Sequence, residues 1–234
     1  MRTIRFLVAV WFGLVSQHSV ALENKPPPLV KFVVGKAKNM GVNRPASSVS
    51  VETLKLEAVE GMQPKILDRV NAQLRGKQRS IQREIKLCGS YAEGRPWSFH
   101  MRFNKVYVSD HYISVVFERS TVCAGSPNIE KIPMVFSRAN GSLIPAPILV
   151  RQFVSAAAVV TPGHEGKVEL DEESIGKMIA DSEAEGISSD DRCDFYLKNS
   201  PYSVWVDAKN LVLSPEFTQT HSGCMKEYVF KEGK

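Results

Sequence analysis

Four cysteines, Cys88, Cys123, Cys193 and Cys224, stand in a chain whose first 21 residues read as an export signal. Arg2 and Arg5 give a positive start, residues 6–15 are an apolar run, and Ser19-Val20-Ala21 is the small-x-small pattern that signal peptidase reads. The run is too short to span a bilayer, which takes about 20 residues. The next apolar stretch, residues 148–162, is interrupted by Arg151 and Gln152. The expectation is an exported chain, periplasmic or extracellular, with no membrane span. In such a compartment cysteines pair. Three pairings are possible, and Cys88–Cys123 with Cys193–Cys224 is favoured because each pair falls within one structural neighbourhood. Each would close a loop of roughly 30–35 residues, worth about 3–4 kcal/mol through the unfolded state. No two cysteines have the short spacing of a zinc site.

Charge bears on partners. The whole chain carries +5, and without residues 1–21 it carries 28 basic against 25 acidic residues, or +3, too mild for the dense basic face of a nucleic-acid reader. Its distribution is uneven. Residues 165–194 hold eleven acidic and three basic residues, a net of −8. The rest of the chain beyond residue 21 has 25 basic against 14 acidic residues, a net of +11. The acidic stretch reads either as a solvated helical face or as a patch that steers a basic partner.

Residues 22–45, with Pro26-Pro27-Pro28, several lysines and Pro45, read as an exposed leader. Residues 46–234 read as a single domain. Val49, Val51, Leu54 and Leu56 open it as a strand; Ile66, Leu67, Val70 and Leu74 then recur at helical spacing over residues 64–83. Strands are expected at residues 97–103, 112–118, 129–136 and 143–149, the last two joined by the hairpin signal Asn140-Gly141. Asn140-Gly141-Ser142 is also a glycosylation sequon, although the turn chemistry already accounts for it. The acidic stretch is expected as a helix carrying Ile175, Met178 and Ile179, with a short helical piece at 190–197. Strands at 202–206, 211–213 and 227–230 close the chain. The expected architecture is α+β: an antiparallel sheet meander with two helical segments, stapled by two disulfides.

Chemistry is harder to find. His100, His111, His164 and His221 include no HExxH spacing, and adjacent Asp110 and His111 on a strand would point to opposite faces. Ser126 and Ser222 lack the flanking glycines of a nucleophile elbow, and no glycine-rich phosphate cradle appears. The expectation is a protein without catalytic site, metal or cofactor; the minority alternative is a small hydrolase, with His111 and His164 as its best candidates. Binding has better candidates. Cys123-Ala124-Gly125-Ser126-Pro127 is a loop held at one end by a crosslink, which lowers the entropy cost of ordering it on a partner. Pro215, Phe217 and His221 lie on a second stretch that ends at Cys224.

Residues 112–118, the Cys-Ala-Gly-Ser-Pro loop, the following strand and the hairpin 137–143 resemble the exported domain of RsiV-type lysozyme-sensing anti-sigma factors. The same domain is found beside a peptidoglycan deacetylase. Segments 203–206 and 210–215, with Gly223-Cys224, resemble that family's closing strands. The resemblance implies a non-catalytic module at the cell wall that in some members grips lysozyme. Ser126 and Pro127 fall in its first loop, where the family often has His at the serine position; Pro215 and Phe217 fall in the second. The reading that follows is a binding protein that recognises and inhibits a peptidoglycan hydrolase, either a lysozyme-like enzyme or a periplasmic toxin. The alternative is a module for peptidoglycan or another anionic polymer, without inhibition.

Overall fold

The computed structural model describes residues 28–37, 47–123, 125, 127–154, 160–162, 166–183, 193–216 and 224–231. Residues 1–21, expected as an export signal, lie outside the described residues. β1 (Val30–Lys36) and β2 (Ser47–Val59) pair antiparallel. The helix α1 (Pro64–Tyr91) then carries the chain back, so that β3 (Trp97–Val108) starts parallel to β2. β4 (Tyr112–Val122) and β5 (Pro127–Ser137) follow antiparallel, giving a five-stranded sheet in the order β1-β2-β3-β4-β5.

The second half contains α2 (Ala146–Phe153), β6 (Val160–Pro162), β7 (Val168–Leu170), α3 (Glu172–Glu183) and α4 (Asp194–Lys198). It ends with β8 (Tyr202–Asp207), β9 (Asn210–Pro215) and β10 (Tyr228–Lys231). Its sheet is antiparallel throughout, ordered β10-β9-β8-β7-β6. The fold is α+β with both expected disulfides, Cys88–Cys123 and Cys193–Cys224, in place.

Four local expectations are corrected. The first sheet is mixed rather than a pure antiparallel meander, because a strand that returns through a long helix re-enters in its original direction. Residues 30–36, assigned to the exposed leader, form edge strand β1; most of its side chains are exposed, but its backbone pairs with β2. α1 runs past Arg83 and through Gly76 to Tyr91, because Ile81, Ile85 and Cys88 continue its buried stripe and packing outweighs glycine's low helix propensity. Residues 143–149 do not form a full strand. The Asn140-Gly141 turn closes, with Ser137 donating to the Ser142 carbonyl and a single bridge from Phe136 to Leu143. Pro145 and Pro147 then lack the N–H groups a ladder needs and instead suit the first turn of α2.

Alternation along β4 divides the interior into two cores. Ile113, Val115 and Phe117 point toward α1, whereas Val116 joins the core of the second sheet. Ser114 Oγ accepts from the Val206 N–H at 3.1 Å, so β8 is registered against β4 by a buried hydrogen bond.

β2 pairs with β3 only through Val51, which leaves the later residues of that edge without a strand neighbour. Asn71 on α1 fills the gap. Its Oδ1 accepts from the Leu56 N–H at 2.9 Å, and its Nδ2 donates to the Leu56 carbonyl at 2.8 Å. A single amide thus stands in for a strand residue and fixes α1 on the sheet. Replacing it with an isosteric apolar side chain strands two buried backbone groups. Asn71→Leu is therefore expected to lower stability by about 2–4 kcal/mol in urea unfolding, and a loss under about 0.5 kcal/mol would show that the amide is not the tie.

Candidate functional site

The two loops singled out in the sequence leave the body from fixed stems. The first connects β4 to β5. Cys123 at its start is bonded to Cys88 on α1, and Pro127 at its end opens β5 in register with Val122. Gly125 has φ +119°, a conformation that favours glycine, so this residue type sets the tight turn. Ser126 lies outside the described residues.

The second loop leaves β9 after Pro215 and returns at Cys224. Pro215 is buried and pairs with Tyr202. Its ring is therefore packed inside the chain rather than offered to a partner, which corrects its place among the expected contacts. Phe217 and His221 lie outside the described residues. The far stem is held twice. Cys224 is bonded to Cys193 just before α4, and Glu227 accepts from Lys105 Nζ at 2.8 Å. That ammonium also lies over the Tyr107 and Trp205 rings, at 5.5 and 5.0 Å from their centroids.

A ladder of alternating charge joins the stems. From α1 outward it runs Lys77, Glu84, Arg119, Glu130, Lys167 and Glu216. Arg119 and Glu130 are in register on β4 and β5, with Nε to Oε1 at 2.6 Å. Lys167, just before β7, bonds Glu130 at 2.8 Å and also Glu216, the residue that precedes Phe217. Ser203 Oγ lies 2.6 Å from Glu216 Oε1 and 2.8 Å from the Lys131 carbonyl. One ammonium thus connects a residue three positions after Pro127 with a residue one position before Phe217. The geometry brings the roots of both loops to one place.

The ladder is buried enough for its charges to matter. Glu130 is 3% exposed, Glu216 10% and Lys167 15%. Burial opposes ionisation of Glu130, but Arg119 and Lys167 outweigh it and hold its carboxyl below the ordinary value. For Glu216 burial wins over Lys167 and Ser203, so its carboxyl is pushed up. Burial also works against the Lys167 charge, yet Glu216 and Glu130 overcome it and raise the ammonium above the usual lysine range.

Two carboxyls pushed in opposite directions are a familiar acid–base signature. Here Lys167 occupies the space between them and bonds both, so the arrangement is a clamp. Among the described residues, no group of three or more His, Cys, Asp or Glu side chains converges as a metal set. His100 Nδ1 lies 3.3 Å from Ser50 Oγ, and Asp110 pairs with Arg138 at 3.5 Å. His164 lies outside the described residues.

The ladder was missed in the sequence, although a signal existed. Arg119 continues the core-facing series Ile113, Val115, Phe117, and Glu130 opens the series Ile132, Met134, Phe136. Opposite charges on the buried faces of successive strands of a hairpin mark a paired position.

No family model matches this chain, and no curated protein is similar to it in sequence. Among solved structures it is similar to a DUF3298 family protein from Pseudomonas aeruginosa PAO1. The two are 12% identical, with 88% of this chain and 90% of the other covered and a TM-score of 0.47.

Removing Lys167 leaves two buried carboxylates facing each other. Lys167→Met is expected to lose about 3 kcal/mol of stability near neutral pH. Because the folded-state pKa of Lys167 is raised, its contribution is complete below the unfolded value of 10.5 and is lost as pH rises through the folded value. Thermal melts should therefore fall more steeply for the native chain than for the variant as pH rises from 10.5 through the folded value. Parallel alkaline limbs would show that Lys167 does not clamp the stems.

Proposed function

We propose that this is an exported binding protein that seats the loops at 123–127 and 217–223 in the cleft of a peptidoglycan hydrolase and inhibits it. The observation that carries the reading is the shared root of the two loops. Each is anchored by a disulfide, and Lys167 ties Glu130 beside one to Glu216 beside the other. Loops with fixed ends lose less conformational freedom on docking, so more of the contact energy appears as affinity.

The resemblance in the loop sequences supplies the class of partner. Phe217 is the apolar anchor expected to fill a pocket, the usual role of a central aromatic side chain at a hot spot. Exposed Glu169, Glu172 and Glu173, at β7 and the start of α3, offer negative charge to the rim of a basic enzyme. That charge accelerates encounter more than it adds affinity.

The test is titration into a turbidity assay of lysozyme-driven lysis, with calorimetry on the same pair. Binding with loss of lysis is expected. Association should slow as salt rises, and Phe217→Ala should weaken binding at least about tenfold. Undiminished lysis in excess protein, across lysozymes of different families and a wall-cleaving toxin, would sink the reading.

A further inference from the structure

The two-thirds of α1 that follow Arg75 present an outward face of one charge. Arg75, Arg79, Arg83 and Lys86, at spacings of four, four and three, are all exposed; Arg75 stands on the flank, beside Glu52 and Thr53 of β2, and the other three lie farther from the sheet. At 1.5 Å per residue they form a row about 16 Å long. None makes a hydrogen bond or ion pair with another described residue. Glu84, the single acid between Arg75 and Tyr91, is turned inward to Lys77 and Arg119. Among the described residues, then, no ion pair neutralises the row, although Glu52 lines a small cavity together with Arg75.

Such a row is unfavourable for the isolated helix, because like charges four residues apart repel. The fold does not need it either, since the buried stripe Val70, Leu74, Ile81, Ile85 and Cys88 already holds α1 in place. Toward the C-terminal end of α1, on the flank beside the row, stand Leu87, 54% exposed, and Tyr91, 60% exposed; at 3.6 residues per turn Tyr91 lies roughly 80° round the helix from Arg83. A chain of cations flanked by an aliphatic and an aromatic side chain matches the layered chemistry of a bilayer surface. Anionic headgroups meet the arginines, and the acyl boundary accepts the leucine and the tyrosine ring.

We infer that the outer face of α1 is a docking surface for an anionic lipid bilayer, on which the protein lies without crossing it. α1 forms the outer layer of its half of the molecule, so the row can approach a flat surface along its length. This surface uses none of the residues assigned to hydrolase binding, and its test contains no hydrolase. Each cation close to an anionic membrane raises partitioning about fivefold.

The experiment is co-sedimentation of the purified, disulfide-bonded protein with phosphatidylglycerol–phosphatidylcholine vesicles, compared with phosphatidylcholine alone. Binding only to the anionic vesicles is expected at low ionic strength, with release in roughly 1 M salt, where the Debye length is about 3 Å. Arg79→Gln with Arg83→Gln should lower partitioning about 25-fold. These side chains hold nothing in the fold, so the circular dichroism melt of that variant should match the native protein. Leu87→Ser with Tyr91→Ser should weaken binding in a way that salt does not mimic. Equal sedimentation with both vesicle types, or anionic binding unchanged by the arginine variant, would overturn the inference. So would retention by soluble polyphosphate without vesicle binding, which would assign the row to a dissolved polyanion.

Discussion

Lys167 lies between two buried carboxylates that belong to different sheets, and much of the molecule's organisation depends on that contact. Glu130 stands on β5, the edge of the first sheet, and Glu216 follows β9 in the second. A sheet edge exposes unpaired backbone groups and must be covered. Here the second sheet covers it, with Ser203 reaching the Lys131 carbonyl and Lys167 adding a charged tie. A buried charge is costly alone and tolerable in a satisfied network, so each member of the ladder requires the next. Apolar side chains of similar volume could stabilise such a junction comparably. What the charges add is a preference for one arrangement, since sliding one sheet past the other would leave a carboxylate without its cation.

The same contact explains why the two loops work as one site in the proposed reading. Loops generally vary while their scaffold stays rigid. In this protein the rigid parts reach the loop roots themselves: a disulfide at one end of each, and the Lys167 bridge between them. The far stem of the second loop is tied to the first sheet as well, through Glu227 and Lys105. In that reading, side chains outside the two loops couple folding to binding.

The outer face of α1 and the ladder divide the charge of one helix between two tasks. Glu84 and Lys77 face inward and hold the helix to Arg119, while Arg75, Arg79, Arg83 and Lys86 are exposed and form no ion pair among the described residues. The excess positive charge outside residues 165–194 is thus partly collected on one surface of one helix rather than spread evenly over the body.

The sequence by itself determined the α+β class, the Asn140-Gly141 turn and most strand positions, and it favoured, among three possible pairings, the disulfides that the structure holds. These follow from export, alternation and turn chemistry, which act between residues close in the chain. It placed Pro127 in a loop, whereas that residue opens β5, and it could not show that Pro215 is buried and paired with Tyr202, because a strand's last residue looks the same whether its neighbour is water or protein. Only the tertiary structure decided that β3 runs parallel to β2, that residues 30–36 join the sheet, and that α2 replaces a strand. It alone brought Glu130 and Glu216 to one lysine, although 86 positions separate them in the chain. Charges so far apart in sequence carry no local pattern. Their meeting depends on how the second sheet packs against the edge of the first, and that packing reflects burial summed over the whole chain.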